Sequence, residues 1–284
     1  MSAQTEKTGL PEVLVSRLSK VATEAANAAG RMMRGSFGLL QRIDQTIPHD
    51  LKLLLDRACE EEILRTLRAA YPGHAVLSEE KGFASGREPY LWVVDPLDGT
   101  VNYYHGIPHF CTSIACYDIK EEAGIEPGHR LPDGRLLGAP ILGIVYDPMR
   151  DELFTGVAGG EASLNRGPLR VPDATRLEET VVALSFGARE ESILFMSKAL
   201  PAFVRSARKV RSFGSTALDM VQVAVGRIGA FVQMGTNLWD FAAAAVIVRA
   251  AGAVVDVKEY APGRFRIIAS AQGIFEQVRM QAET

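Results

Sequence analysis

The sequence predicts a layered α/β fold, and three observations predict it. Helical and strand-like patterns alternate in blocks along the chain. The run "LWVV", residues 91–94, is apolar without a polar face, as in a buried strand. The run "FAAAAVIVRAAGAVV", residues 241–255, is apolar all round and reads as a buried helix entering a buried strand. Arg249 and Gly252 interrupt that run, and it is too short for a membrane span.

The elements follow in order. Pro11 opens "PEVLVSRLSKVATEAANAAGRMMRG", in which Val13, Leu18, Val21, Ala25 and Ala28 recur at helical spacing; Gly30 weakens its end and Gly35 stops it. "QRIDQTIPHD" reads as a polar loop. "LKLLLDRACEEEILRTLRAAYPG" reads as a second amphipathic helix, closed by Pro72 and Gly73. "AVLSEE" and "YLWVVD" are short strands that deliver acids at their C-terminal ends. "FCTSIACYDI" and "APILGIVYDP" are strand-like, and "DELFTGVAGGEASLN" is a hairpin with Gly159 and Gly160 in the bend. The segment around residues 119–136 is polar and rich in turn residues, which predicts an exposed insertion: a cover for a site, an oligomer contact, or neither. "TVVALSF" and "IGAFVQMG" are strands flanking the helical "STALDMVQVAVGR". The tail "RIIASAQGIFEQVRMQA" is strand, then helix.

A chain of 284 residues can bury a sizeable core. Its net charge of −3 gives no case for a nucleic-acid polymer as partner. The opening "MSAQTEKTGLPE" has no apolar core of a signal peptide, and Cys59, Cys111 and Cys116 show no C-x-x-C spacing. Reduced thiols and a cytoplasmic location, with no membrane contact, are expected.

The chemistry centres on "VVDPLDGTVN", residues 93–102. Asp-x-x-Asp around a proline is, by itself, a turn. Here Asp95 follows a buried strand, where a carboxylate needs a compensating charge. Gly99 and Thr100 offer consecutive backbone N–H groups to an anion. Glu79 and Glu80 end the neighbouring strand, with Lys81 able to pair with either in a solvated loop. Asp240, in "NLWDFAAAA", stands before a helical run and would serve there as an N-cap. If these acids converge, they need cations between them, and an all-oxygen set selects Mg²⁺ or Mn²⁺ over zinc. His105 and His109 are spaced i, i+4, but Gly106 and Pro108 argue against the helix that a zinc pair would need, so structural roles are expected.

"SEE", "DPLDGTVNY" and "LWDFAAA…AAGAVVD" together resemble the signatures of the inositol monophosphatase family, and "GGEASLNRGPLRV" is similar to its small hairpin segment. The resemblance implies an α/β layered αβαβα sandwich of the inositol monophosphatase and fructose-1,6-bisphosphatase type. An N-terminal α+β part, residues 1–180, and a C-terminal α/β part, residues 181–284, would form one compact unit. It implies a Mg²⁺-dependent, lithium-sensitive phosphatase and a homodimer. Glu79, Asp95 and the Leu97 carbonyl would hold one Mg²⁺, and Asp95, Asp98 and Asp240 a second; Glu79 would reach a third, looser ion. Gly99 and Thr100 would hold the phosphate, beside Leu97, Asp98 and Asp240. Thr100 and Asp56, with Glu79, would activate water for direct hydrolysis without a phosphoenzyme.

The sequence departs from the family pattern in places. The family's "DLVTxxD" is here "DLKLLLD", residues 50–56, so Leu53 replaces a threonine and Lys52 is new. The loop Gln41–Pro48 lacks the lysine that many members carry near the third metal. Gln233 stands where inositol-specific members often have glutamate; it still accepts and donates hydrogen bonds, without charge. Gly214, Ser215 and Thr216 fall on the family's substrate side, with helix N-capping as the equal alternative for the latter two. The expected substrate is a small phosphorylated polyol or sugar, inositol monophosphate first. Fructose 1,6-bisphosphate, 3′-phosphoadenosine nucleotides and histidinol phosphate are the alternatives, as is a non-catalytic phosphometabolite-binding role.

Overall fold

The computed structural model describes residues 10–47, 50–120, 130–187 and 189–283. Helix α1 (Glu12–Ser36) runs through Gly30 without breaking. That glycine is a packing site: a Cβ there would lie 2.2 Å from the Tyr146 ring. The expected polar loop instead forms a hairpin, β1 (Ile43–Ile47) with β2 (Asp50–Leu53). Its strands are short and their register shifts between Ile43 and Gln45, so no steady alternation reveals it, although Leu53 at its end is buried in the core. Helix α2 (Leu54–Ala70) follows directly.

Strands β3 (Ala75–Ser78), β4 (Gly82–Ala84) and β5 (Tyr90–Asp98) lead into the short helix α3 (Thr100–Tyr104). Strands β6 (Cys111–Lys120), β7 (Leu136–Asp147), β8 (Glu152–Val157), β9 (Ala162–Leu164) and β10 (Gly167–Leu169) complete an eight-stranded sheet, ordered β10-β9-β8-β7-β6-β5-β3-β4. Within it only β3 and β5 pair in parallel. The second half holds β11 (Val181–Phe186), α4 (Glu190–Ser206), β12 (Lys209–Arg211), α5 (Thr216–Val225), β13 (Ala230–Thr236), α6 (Leu238–Ala250), β14 (Val254–Ala261), β15 (Arg264–Ser270) and α7 (Phe275–Ala282). Its five strands are ordered β12-β11-β13-β15-β14.

Side-chain packing gives the layers. Leu18, Ala22, Ile63 and Leu67 of α1 and α2 pack with Trp92, Val94 and Ile114 on one face of the large sheet. Leu91, Val93 and Ala115, on the other face, join α5, α6 and the inner face of the small sheet in one cluster. Helices α4 and α7 cover the small sheet's outer face through Met196, Phe203 and Val278. The order is therefore α, β, α, β, α, as the resemblance implies. The buried helix α6 is apolar all round because it lies between two sheets.

The insertion meets the sheet away from the acids. Lys120 pairs with Leu136, and β6 runs antiparallel to β5 with Asp118 beside Tyr90. Its anchored ends thus stand at the start of β5, opposite the end bearing Asp98. They are not wholly exposed either: Leu131 and Leu136 are buried. The residues 121–129 of that insertion lie outside the described ones. Among the described residues no helix is long and apolar enough to cross a membrane. All three cysteines are buried and free.

Candidate active site

Parallel pairing of β3 with β5 sets Ser78 beside Val94, and the Glu79 N–H donates to the Val94 carbonyl at 3.2 Å. Glu79 therefore emerges next to Asp95, at the C-terminal ends of two parallel strands, where α/β sheets commonly place their sites. The strand does not stop at Asp95, as the sequence suggested, but continues to Asp98. In a regular strand, residues three apart point to opposite faces. Here Asp95 pairs with Ser113 and Asp98 with Cys111, so three steps on β5 match two on β6. This bulge, at Pro96 and Leu97, brings both aspartates to one face.

Asp98 is held by α5. Ser215 Oγ and the Ala217 N–H each donate to its Oδ2 at 2.7 Å, and the Thr216 N–H donates to Oδ1 at 3.2 Å. Ser215 occupies the N-cap position of α5, yet its hydroxyl serves Asp98, whose carboxylate caps the helix in its place. Thr216 donates from Oγ1 to Gln233 Oε1 at 2.8 Å, and both side chains are nearly buried. Gly214, at φ +92°, packs against the Asn102 amide, which donates to the carbonyls of His109 and Phe213.

Asp240 is not the N-cap of α6. Asn237 is, and Asp240 lies at the third helical position, its Oδ2 accepting from the Asn237 N–H at 2.7 Å and Thr236 Oγ1 at 2.6 Å. Asp56 has the matching place in α2, accepting from the Leu53 N–H at 2.6 Å. Thr100 donates to the Leu97 carbonyl at 2.9 Å. Gly99, at φ +94°, precedes α3 in a conformation that favours glycine, and a Cβ there would lie 3.0 Å from the His109 carbonyl.

Burial raises all four carboxyls. It pushes Glu79 well above the usual carboxylate range, with Asp240 adding to it and Lys52 opposing. Asp95 rises through burial, then Glu79, Asp98 and Asp240. Asp98 reaches about 7 through burial, with Asp240 adding and the Ser215 bond opposing. Asp240 rises through burial against its Thr236 and Asn237 bonds. The acids are thus near enough to resist one another's ionisation, and every donor is a hard oxygen, which fits a divalent cation such as Mg²⁺. Among the described residues, no three acidic, histidine or cysteine side chains already close on a common point as a metal cage.

Lys81 pairs with neither neighbouring glutamate but with Glu61, at 3.4 Å. Lys52 takes that place, 2.7 Å from Glu80 and 3.9 Å from Glu79. Sequence reasoning missed Glu60, fully buried, whose Oε1 accepts from the N–H groups of Glu80 at 3.2 Å and Lys81 at 3.1 Å. It fixes the turn that presents Glu79. The signal available was its place one helical turn after Asp56. His109 is structural, its Nε2 lying 2.6 Å from the buried Asp219.

The Inositol monophosphatase family model matches residues 14–125 and 136–282, passing over part of the insertion. The chain is 37% identical to "Nus factor SuhB" of Pseudomonas aeruginosa over 246 residues, covering 83% of each chain. Among solved structures it is similar to extragenic suppressor protein suhB of Bartonella henselae, with TM-score 0.82 and 30% identity, covering 94% of this chain and 99% of that one. It is also similar to inositol monophosphatase from Anabaena, with TM-score 0.77 and 31% identity, covering 95% and 96%. With its signatures, layer order and acids all placed, the chain belongs to the inositol monophosphatase family, whose members are generally metal-dependent and bind small phosphorylated metabolites.

Proposed function

We propose that this protein is a Mg²⁺-dependent phosphatase for a small phosphorylated polyol or sugar, inositol monophosphate first. The observation that carries the reading is the meeting of Glu79, Asp95, Asp98 and Asp240, from three separate stretches of chain, as mutually destabilising carboxyls, Asp95 buried and the others partly so. Such a set costs stability unless a cation offsets it. Glu79, Asp95 and the Leu97 carbonyl would hold one Mg²⁺ or Mn²⁺, and Asp95, Asp98 and Asp240 another. When bound, such ions stabilise the charge of a transferring phosphoryl group and make water a better nucleophile.

The chain's own groups do the rest. Thr100, fixed on the Leu97 carbonyl, and Asp56, fixed on the Leu53 N–H, would orient the attacking water with Glu79. The first N–H groups at Gly99 and Thr100 would hold phosphate oxygens. Gln233, steered by Thr216, would read substrate hydroxyls beside Gly214 and Ser215. A homodimer, lithium sensitivity and a cytoplasmic location belong to the same reading.

Phosphate release from inositol 1-phosphate, fructose 1,6-bisphosphate, 3′-phosphoadenosine 5′-phosphate and histidinol phosphate, with and without Mg²⁺, tests it. One Mg²⁺-requiring substrate is expected, with Asp95→Asn lowering kcat/KM at least about a hundredfold, roughly 2.7 kcal/mol. Full activity in Asp95→Asn would remove the metal assignment. The relatives named Nus factor motivate a second reading, a role without hydrolysis. No turnover of any panel member by the folded, Mg²⁺-supplied protein would favour it.

A further inference from the structure

Lys52 reaches from β2 to the turn after β3, and both ends of the contact are fixed. Its ammonium lies 2.7 Å from Glu80 Oε1 and 3.9 Å from Glu79 Oε1. The Glu80 side chain is only 4% exposed and that of Lys52 is 20% exposed, so the pair is largely withdrawn from water. Attraction there is screened less than on an open surface. The turn itself is held by buried Glu60 through the N–H groups of Glu80 and Lys81. Glu79 thus has charges of both signs around it: the acids Asp95 and Asp240, and the Lys52 ammonium.

The position of that ammonium matters because a lysine and a divalent ion answer the same electrostatic need. A cation placed on the Lys52 side of Glu79 would meet a fixed positive charge and a Glu80 carboxylate already engaged. On the inner side, Arg264 opposes the pKa rise at Asp240, but only after the hydrogen bonds from Thr236 and Asn237.

We propose that Lys52 is a built-in counter-ion that replaces the outermost divalent cation of the carboxylate cluster, so that this chain loads two ions rather than three. The inference rests on the metal-binding reading of the four acids. It makes Lys52 a positioning residue that pins Glu80 and the outer side of Glu79, so that Glu79 stays aimed at the inner ions, without touching substrate.

The test is Mn²⁺ binding to the full chain, without substrate, followed by the electron paramagnetic resonance of free Mn²⁺. Wild type, Lys52→Arg, Lys52→Leu, Lys52→Gln and Asp95→Asn are compared, with folding checked by circular dichroism. Wild type and Lys52→Arg are expected to bind two ions per chain, and the neutral variants to gain one more; if Lys52→Leu does not fold, Lys52→Gln carries the comparison. Asp95→Asn should lose at least one ion. Equal counts in wild type and the neutral variants, with Asp95→Asn still losing an ion, would overturn the role of Lys52 and leave the metal reading standing. Equal counts in wild type and Asp95→Asn would overturn both.

Discussion

At the scale of single residues, the site is defined by carboxyls that the fold holds against their preference. Asp95 is 2% exposed, and burial, Glu79, Asp98 and Asp240 all raise its pKa. A carboxyl whose pKa is higher in the folded than in the unfolded chain takes up a proton on folding. That contribution to stability is complete below the unfolded value, about 4, and is lost as pH rises through the folded value. For Asp98, pushed up to about 7, the loss begins near pH 4 and is complete as pH rises past about 7. Without divalent ions, the wild-type protein should therefore lose the Asp98 part of this stabilisation between about pH 4 and about pH 7. Asp95→Asn removes one of the charges and keeps an oxygen to accept from the Leu97 N–H, as Asp95 Oδ1 does at 3.1 Å. In chelator, Asp95→Asn should melt higher than wild type at alkaline pH, by at least about 2–4 °C, the shift that 1 kcal/mol makes in a large domain. The advantage should fade toward acid pH and reverse when Mg²⁺ is added. Parallel melting curves across pH would show that the carboxyls do not strain one another.

At the scale of elements, the decisive contact is that of α6 with the large sheet. Gly143 on β7 and Gly156 on β8 face each other in register, and both lie under the helix. A Cβ on Gly143 would stand 2.2 Å from the Ala243 carbonyl oxygen, and one on Gly156 2.6 Å from the Ile247 Cα. Both obstacles are backbone, so the helix itself would have to move. Gly143→Ala should cost about 1–3 kcal/mol or more by overpacking, read by denaturant unfolding. Because Asp240 rides on the first turn of α6, Mn²⁺ affinity should fall with it. Gly35→Ala is the contrast, since nothing lies within 4 Å of that Cβ, and it should be neutral or slightly stabilising. Equal losses in the two variants would sink the argument. These close approaches were not legible in the sequence, which shows a glycine but not what lies above it. The apolar runs that became β5 and α6 were legible, because burial on both sides leaves no polar face. Helix α4 went unread; Pro201 within it obscures its helical pattern. Strands β4 and β12, of three residues each, are too short to show a period. Within the site, the acids could be read from their place at the ends of apolar runs and from the family signatures that contain them. The bulge that turns Asp95 and Asp98 to one face, and the capping of α5 by Asp98, depend on partners distant in sequence.

At the scale of the whole molecule, the central layer of α5 and α6 belongs to both sheets. Phe231 and Ile267 of the small sheet share one apolar cluster with Leu91, Val93 and Val145 of the large one, through Leu218, Val221 and Ile247 of the two helices. Asp98 of β5 also caps α5, so a polar link joins the halves beside the apolar one. Separating residues 1–180 from 181–284 would strip water-excluding cover from the large sheet and leave buried carboxyls without their donors. Neither half should therefore unfold ahead of the other. The chain offers a direct probe, because it has two tryptophans, one in each half. Trp92 is buried in the large sheet on the side of α1 and α2, and Trp239 packs at the start of α6. Single-tryptophan variants Trp92→Phe and Trp239→Phe should each give one fluorescence transition in denaturant, and within each variant it should coincide with the loss of helical circular dichroism. The shared layer makes that coincidence a requirement. If either tryptophan reported its own half unfolding while much of the helical signal remained, the halves would be separate folding units and α5 and α6 would belong to only one of them.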